Sequence, residues 1–178
     1  MNISFIPVRY ATALYNYALA HKSDEEIYRQ ALVLSELLVD NKKIKTVLAN
    51  PILDRQIKQN FLFSLFNQNI HPDLKNFIVF LFDREREIFV MEILARYVVL
   101  YREKNNIHFG KLITATALNK ATETKIVSAM SEKINGKLEI ETDTDQTLVG
   151  GFVLEVDNVR CDASVKGKLQ RIKKELTV

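Results

Sequence analysis

Three histidines, one cysteine and two short glycine motifs are the residues of this 178-residue chain whose types could support chemistry. His21, His71 and His108 stand far apart, with no cysteine or carboxylate at the spacing a zinc site needs. They read as surface or capping histidines, and no metal is expected. Cys161 is the single cysteine; it has no nucleophile signature around it and reads as a small hydrophobe at a strand end. The acidic pairs Asp24-Glu25 and Asp143/Asp145 resemble caps and solvated loops more than an acid/base couple. Gly150-Gly151 lacks the third glycine and the strand-to-helix setting of a dinucleotide fingerprint. Lys166-Gly167-Lys168 lacks the upstream glycine and the following Ser or Thr of a P-loop. Ser164 lies in DASVKG, not in the glycine-flanked elbow of a hydrolase. No catalytic residue, no cofactor and no enzyme activity are therefore expected. Gly150 and Gly151 read as a bulge or close backbone approach in a sheet, and Gly167 as room for a terminal helix to approach a hairpin.

What is left is a basic tail. Between Val165 and Val178 stand Lys166, Lys168, Arg171, Lys173 and Lys174 against one acid, Glu175. Cations toward a helix C-terminus are favourable by themselves; beyond that, the tail fits an acidic protein partner or nucleic acid. No aromatics are interleaved for base stacking and no helix-turn-helix is recognisable, so a protein partner is preferred. A nucleic-acid-binding module using this helix is the alternative reading. A net charge of +3 is too small to imply nucleic acid. With 47% hydrophobic and 26% charged residues the composition is that of an ordinary globular protein. No apolar run approaches the ~20 residues that cross a bilayer, the start has no basic leader, and one cysteine fits a reducing compartment.

The elements that must position these residues fall into two halves. From Pro7 to about Asn106 one helical pattern follows another. Val8, Ala11, Tyr15 and Ala18 stripe a first helix. Ser23 with Glu26 makes a capping box for a second, striped by Ile27, Ala31, Leu34 and Leu38. A third, from about Asn41 to Ala49, stops before Asn50-Pro51. A fourth runs from about Asp54 to Phe66 with Ile57, Phe61 and Leu65 on one face. Pro72 opens a fifth carrying Phe77, Ile78, Leu81 and Phe82, and a sixth spans about Glu87 to Lys104 with Met91, Leu94, Val98 and Tyr101 aligned. Six helices on short connections predict an all-α bundle. After Asn105-Asn106 the period changes. HFGKLITATAL reads as a strand, Asn119 to about Ile134 as a helix, and KLEIETD, GGFVLEV and VRCD as further strands, the last two joined at Asp157-Asn158. A last helix begins near Asp162 or Ser164 with the stripe Val165, Leu169, Ile172 and Leu176. The fold class is α+β in two domains, a six-helix bundle over 1–105 and a small α/β domain of order β-α-β-β-β-α over 106–178.

The stretch LVGGFVLEVDNVRCDASVKGKLQRIKKEL, residues 148–176, resembles the C-terminal signature of the delta subunit family of bacterial F-type ATP synthase, whose mitochondrial relative is the oligomycin-sensitivity-conferring protein. The family pattern is a Gly-Gly strand, a tight turn, a second strand ending in Asp, then Ser-Val-Arg-Gly and a leucine-bearing helix. Gly150, Gly151, Asp162, Ser164, Val165, Gly167 and Leu169 match it. RYATALYNYA, VLANPIL and ITATAL resemble the opening helix, the mid-bundle Asn-Pro turn and the first C-terminal strand. The chain departs from the pattern at Lys166, where the family has arginine, at Asp157-Asn158 for a Gly-Asp turn, and at Arg160, a position commonly apolar.

The resemblance implies a non-catalytic connector in the peripheral stalk, one copy per complex. The synthase would be held at the cytoplasmic face of the bacterial inner membrane, with the chain reaching the membrane only through the complex. The helical domain is expected on the catalytic head, binding the N-terminal segment of an alpha subunit between its first and fifth helices. From the stripes, Ala11, Leu14, Tyr15 and Ala18 with Phe77, Ile78 and Leu81 are the expected groove. The C-terminal domain is expected to hold the C-termini of the paired b subunits, with Lys166, Lys168 and Arg171 as contacts and Gly150, Gly151, Asp162 and Gly167 as structural residues. Within the polar stretch REKNNIHFG, residues 102–110, Asn105 to Gly110 is the expected hinge.

Overall fold

A computed structural model describes residues 5–39, 42–66, 69–116, 122, 124–126, 128, 136–157 and 159–176. Its contacts divide the chain into two compact units, 1–101 and 102–178.

The first unit is helical. Helix α1, Phe5–His21, buries Ala11, Leu14 and Ala18, while Val8 of the expected stripe faces solvent. It stops where Lys22 turns left-handed, at φ 57. Ser23 follows in the predicted capping position: its carbonyl accepts from the Ile27 N–H (3.0 Å) and its hydroxyl donates back to the Ala18 carbonyl (3.4 Å). Helix α2, Asp24–Val39, opens with Asp24, Glu25 and Glu26, acids that favour the positive end of a helix dipole. It buries Ile27, Ala31 and Leu34. Helix α3, Lys42–Ala49, gives way to Asn50-Pro51, where Asn50 Oδ1 accepts from the Ile52 N–H (2.9 Å) and shapes the turn. Helix α4, Arg55–Ser64, departs from expectation: Lys58, Gln59 and Leu62 are buried and Ile57 is half exposed. Helix α5, Pro72–Asp83, has proline in its first turn and His71 as its cap, the ring nitrogen accepting from the Asp73 N–H. It buries the predicted Phe77, Ile78, Leu81 and Phe82. A 3-10 turn over Glu87–Phe89 leads into α6, Val90–Lys104, whose buried face is Val90, Ile93, Leu94, Tyr97, Val98 and Tyr101.

The second unit is built on a four-stranded mixed sheet of order β2-β1-β3-β4. Strand β1, Ile107–Thr114, pairs in parallel with β2, Lys137–Thr144, from Ile107↔Lys137 to Thr114↔Thr144. A parallel pair needs a crossover of a dozen or more residues, here 115–136. Within it residues 122, 124–126 and 128 are helical; the rest of the helix expected from Asn119 to Ile134 lies outside the described residues. On its other side β1 pairs antiparallel with β3, Phe152–Val156, through Leu112↔Leu154, and β3 pairs with β4, Val159–Asp162, through Leu154↔Cys161. Among the described residues, Leu112, Leu148, Val153 and Leu154 are the unit's buried apolar side chains. Helix α7, Val165–Leu176, closes the chain.

The expected hinge at 105–110 is corrected. Ile107 to Gly110 are already β1 residues, laddered against Lys137 to Ile140. The Asn106 carbonyl accepts from the Lys137 N–H (2.9 Å). Arg102 donates twice to Glu139 Oε2 (3.2 and 3.0 Å) and lies over the Phe109 ring, 4.3 Å from its centroid. Bending in that stretch would break ladder hydrogen bonds, which polar composition alone does not reveal.

Candidate docking surfaces

On the helical unit the residues expected to line a groove are mostly interior. Ala11, Leu14, Ala18 and Ile78 are fully buried, and Leu81 and Phe77 nearly so. In a close-packed interior such side chains have no face left for a partner. Tyr15 is half-buried, and its ring packs toward Tyr97 and Tyr101 of α6, at 6.3 and 6.5 Å between centroids.

The seam between α1 and α5 reaches the surface through larger rings. Tyr10 meets Phe80 at 6.2 Å, Phe77 meets Phe80 at 6.4 Å, and the Tyr17 hydroxyl donates to Asp73 Oδ1 (3.3 Å). The Arg84 guanidinium lies over Phe80, 5.5 Å from the ring centre. Tyr17 and Phe80 keep more than a third of their surface in solvent. Tyr10 and Tyr17 are seven residues apart on one face of α1, a signal the sequence carries, but they lie beside the apolar stripe that periodicity picks out. Phe5, Val8 and Leu19 add an exposed apolar line on another face of α1.

On the second unit the matched signature residues converge on one corner, which fixes where α7 starts. Asp162 Oδ1 accepts from the Ser164 N–H (2.9 Å) and from its hydroxyl (2.6 Å), and Ser164 Oγ accepts from the Gly167 N–H (2.9 Å). Ser164 is thus the N-cap of α7. A Cβ on Gly167 would stand 2.6 Å from Asp162 Oδ1, so a side chain there would evict the carboxylate that orients the cap. Gly151 has φ +76, and a Cβ on it would stand 2.4 Å from the Ala163 carbonyl oxygen. The Gly150 carbonyl accepts from the Val165 N–H (2.9 Å) and the Phe152 carbonyl from the Ala163 N–H (3.0 Å). Gly150, Gly151, Asp162 and Gly167 therefore knit the start of β3, the end of β4 and the first turn of α7.

Lys166 and Lys168 are exposed on α7, and Lys166 Nζ lies 3.5 Å from Thr147 Oγ1. The Thr147 hydroxyl and N–H both bond to Asp145 (2.9 and 2.8 Å) and, with Lys166 beyond them, hold its carboxyl below the usual carboxylate range. Arg171 lies on the same helix; its side chain is outside the described residues. The histidines stand apart: His21 Nδ1 meets the Tyr17 carbonyl (2.9 Å), His71 caps α5, and His108 Nδ1 meets Asp157 Oδ2 (2.7 Å). Cys161 is exposed rather than buried at its strand end, because β4 is an edge strand.

Residues 6–176 match the family described as ATP synthase delta (OSCP) subunit. ATP synthase subunit delta of Bacteroides fragilis is 32% identical over 177 residues, covering 98% of this chain and 95% of the relative. That of Rickettsia felis is 30% identical over 177 residues, covering 99% and 96%. A chain in the cryo-EM structure of the Toxoplasma gondii mitochondrial ATP synthase hexamer shares the fold, with a TM-score of 0.66 at 21% identity over 97% of this chain and 98% of that one.

Proposed function

The chain belongs to the ATP synthase delta (OSCP) subunit family, and from that premise we propose that it is a non-catalytic connector in the peripheral stalk of an F-type ATP synthase. It ties the catalytic head to the membrane sector and so supports proton-driven ATP synthesis. The observation that carries this reading is the extent of the match, residues 6–176, which runs through both units.

Its helical unit works as one six-helix bundle on the head. The N-terminal segment of an alpha subunit docks as an amphipathic helix along the α1–α5 seam, a helix-in-groove mode that needs apolar anchors at helical spacing. The buried Ala11, Leu14, Ala18, Ile78 and Leu81 support the groove floor from below, and Tyr10, Tyr17 and Phe80 offer the contact surface. The second unit takes the C-termini of the b subunits, with Lys166, Lys168 and Arg171 supplying positive charge. One copy serves each complex, at the cytoplasmic face of a bacterial plasma membrane. Among the described residues no helix is long and apolar enough to cross a membrane, in keeping with attachment through the complex.

The test is co-purification. A tagged chain expressed in its host and recovered from detergent-solubilised membranes should bring alpha, beta and b subunits with it. Recovery without synthase subunits sinks the reading.

A further inference from the structure

The last helix presents its apolar stripe outward. Val165, Leu169 and Ile172 are 40%, 58% and 52% exposed, and of the described α7 residues only Gly167 is buried. At about 100° per residue the stripe centres roughly opposite Gly167. The helix therefore rests on the sheet corner through a glycine and turns its hydrophobic side to solvent. Beside its first turn stands Val149, 75% exposed at φ 65, a left-handed backbone that a β-branched residue rarely adopts. Val149 and Val165 flank Gly150, where a Cβ would stand 3.1 Å from Val165 Cγ2. Lys168 borders the stripe on one side and Lys166 on the other.

Among the described residues this 12-residue helix is tied to the fold at its first turn, and isolated helices of this length are marginal in water. An outward apolar stripe, an exposed valine near its first turn and cationic borders together describe a surface awaiting a partner. We propose that Val149, Val165, Leu169 and Ile172 dock an amphipathic helix with acidic flanks, and that this apolar contact, rather than the lysines, holds the second unit to the stalk. The inference rests on the stalk reading above. Apolar burial sets the lifetime of the complex, while Lys166 and Lys168 steer its approach and contribute mainly at low salt. A lipid surface fits less well: the stripe has no Trp, Tyr or Phe to anchor it at an interface.

The experiment uses the full chain, the soluble b-subunit dimer of the same organism, and vesicles of phosphatidylethanolamine and phosphatidylglycerol. Leu169→Asp with Ile172→Asp should weaken b-dimer binding on the order of a hundredfold, since central apolar anchors dominate such interfaces. Lys166→Gln with Lys168→Gln should weaken it severalfold at low salt and little at high salt. Val149→Gly, which relieves strain, should raise thermal stability while lowering affinity, a combination that a purely structural role does not produce. If the wild-type chain binds and the double aspartate variant, with unchanged circular dichroism, binds equally well, the apolar surface is wrong and the stalk reading survives. If the wild-type chain does not bind the b dimer, the stalk reading itself fails. Vesicle binding lost in the aspartate variant identifies lipid as the occupant and overturns the proposal.

Discussion

A methyl group at residue 151 meets both a carbonyl oxygen and a left-handed backbone, so Gly151→Ala should cost the second unit about 3 kcal/mol or more. Gly167→Ala displaces Asp162 and with it the Ser164 cap, and should cost about 2 kcal/mol; Ser164→Ala alone should cost about 1 kcal/mol. Gly150→Ala meets a valine methyl rather than backbone and should be the mildest of the glycine changes. Urea unfolding followed by amide exchange in β3 and β4 checks this order, and equal costs at 150 and 151 would contradict it. This corner was legible in the sequence because its partners are close along the chain: Asp162, Ser164 and Gly167 lie within six residues, and Gly151 meets Ala163 across one hairpin. The α1–α5 seam was not legible in the same way. Tyr17 and Asp73 are 56 residues apart, and no local pattern pairs them. A buried residue makes another test. Burial and the nearby Asp24 raise the Tyr97 phenol above its ordinary value, and its hydroxyl donates to the Asp24 carbonyl (2.9 Å). A folded-state value above the unfolded one means that the stabilisation is complete below about pH 10 and is lost as pH rises further. The helical unit should therefore lose stability above about pH 10, and Tyr97→Phe should flatten that dependence while removing one hydrogen bond worth about 1 kcal/mol.

Helix α4 shows why element faces are harder to read than elements. Its existence follows from periodicity, but apolar spacing alone turns Ile57 inward, whereas the fold leaves it half exposed. In the fold Lys58 goes inward instead, its side chain 9% exposed, and pairs with Glu87 at 3.3 Å across a separation that periodicity cannot see. Removing one partner of a buried pair strands the other charge. Glu87→Ala should thus destabilise the helical unit by about 3 kcal/mol, and adding Lys58→Met should recover most of the loss. A double variant no better than the single one would show that the pair is dispensable. The other described helices and strands follow from stripes, caps and turns. Helix α7 was legible as an amphipathic element, but only the fold shows which way it faces, since that depends on Gly167 sitting against Asp162.

At the scale of the molecule, the change from helical to strand period near Asn105-Asn106 marks where α6 gives way to β1, and the hinge expected there is instead laddered into the sheet. A connector needs two separable attachments. The most direct measurement is co-purification with full-length chains altered at one surface at a time, in cells lacking the native copy. Tyr17→Glu with Phe80→Glu should lose the alpha and beta subunits and keep the b subunits, whereas Leu169→Asp with Ile172→Asp should lose the b subunits and keep alpha and beta. Coupling of proton flow to ATP synthesis should fail in both. If each variant loses both sets of partners, or neither loses any while coupling persists, the chain does not bridge head and stalk through these two surfaces.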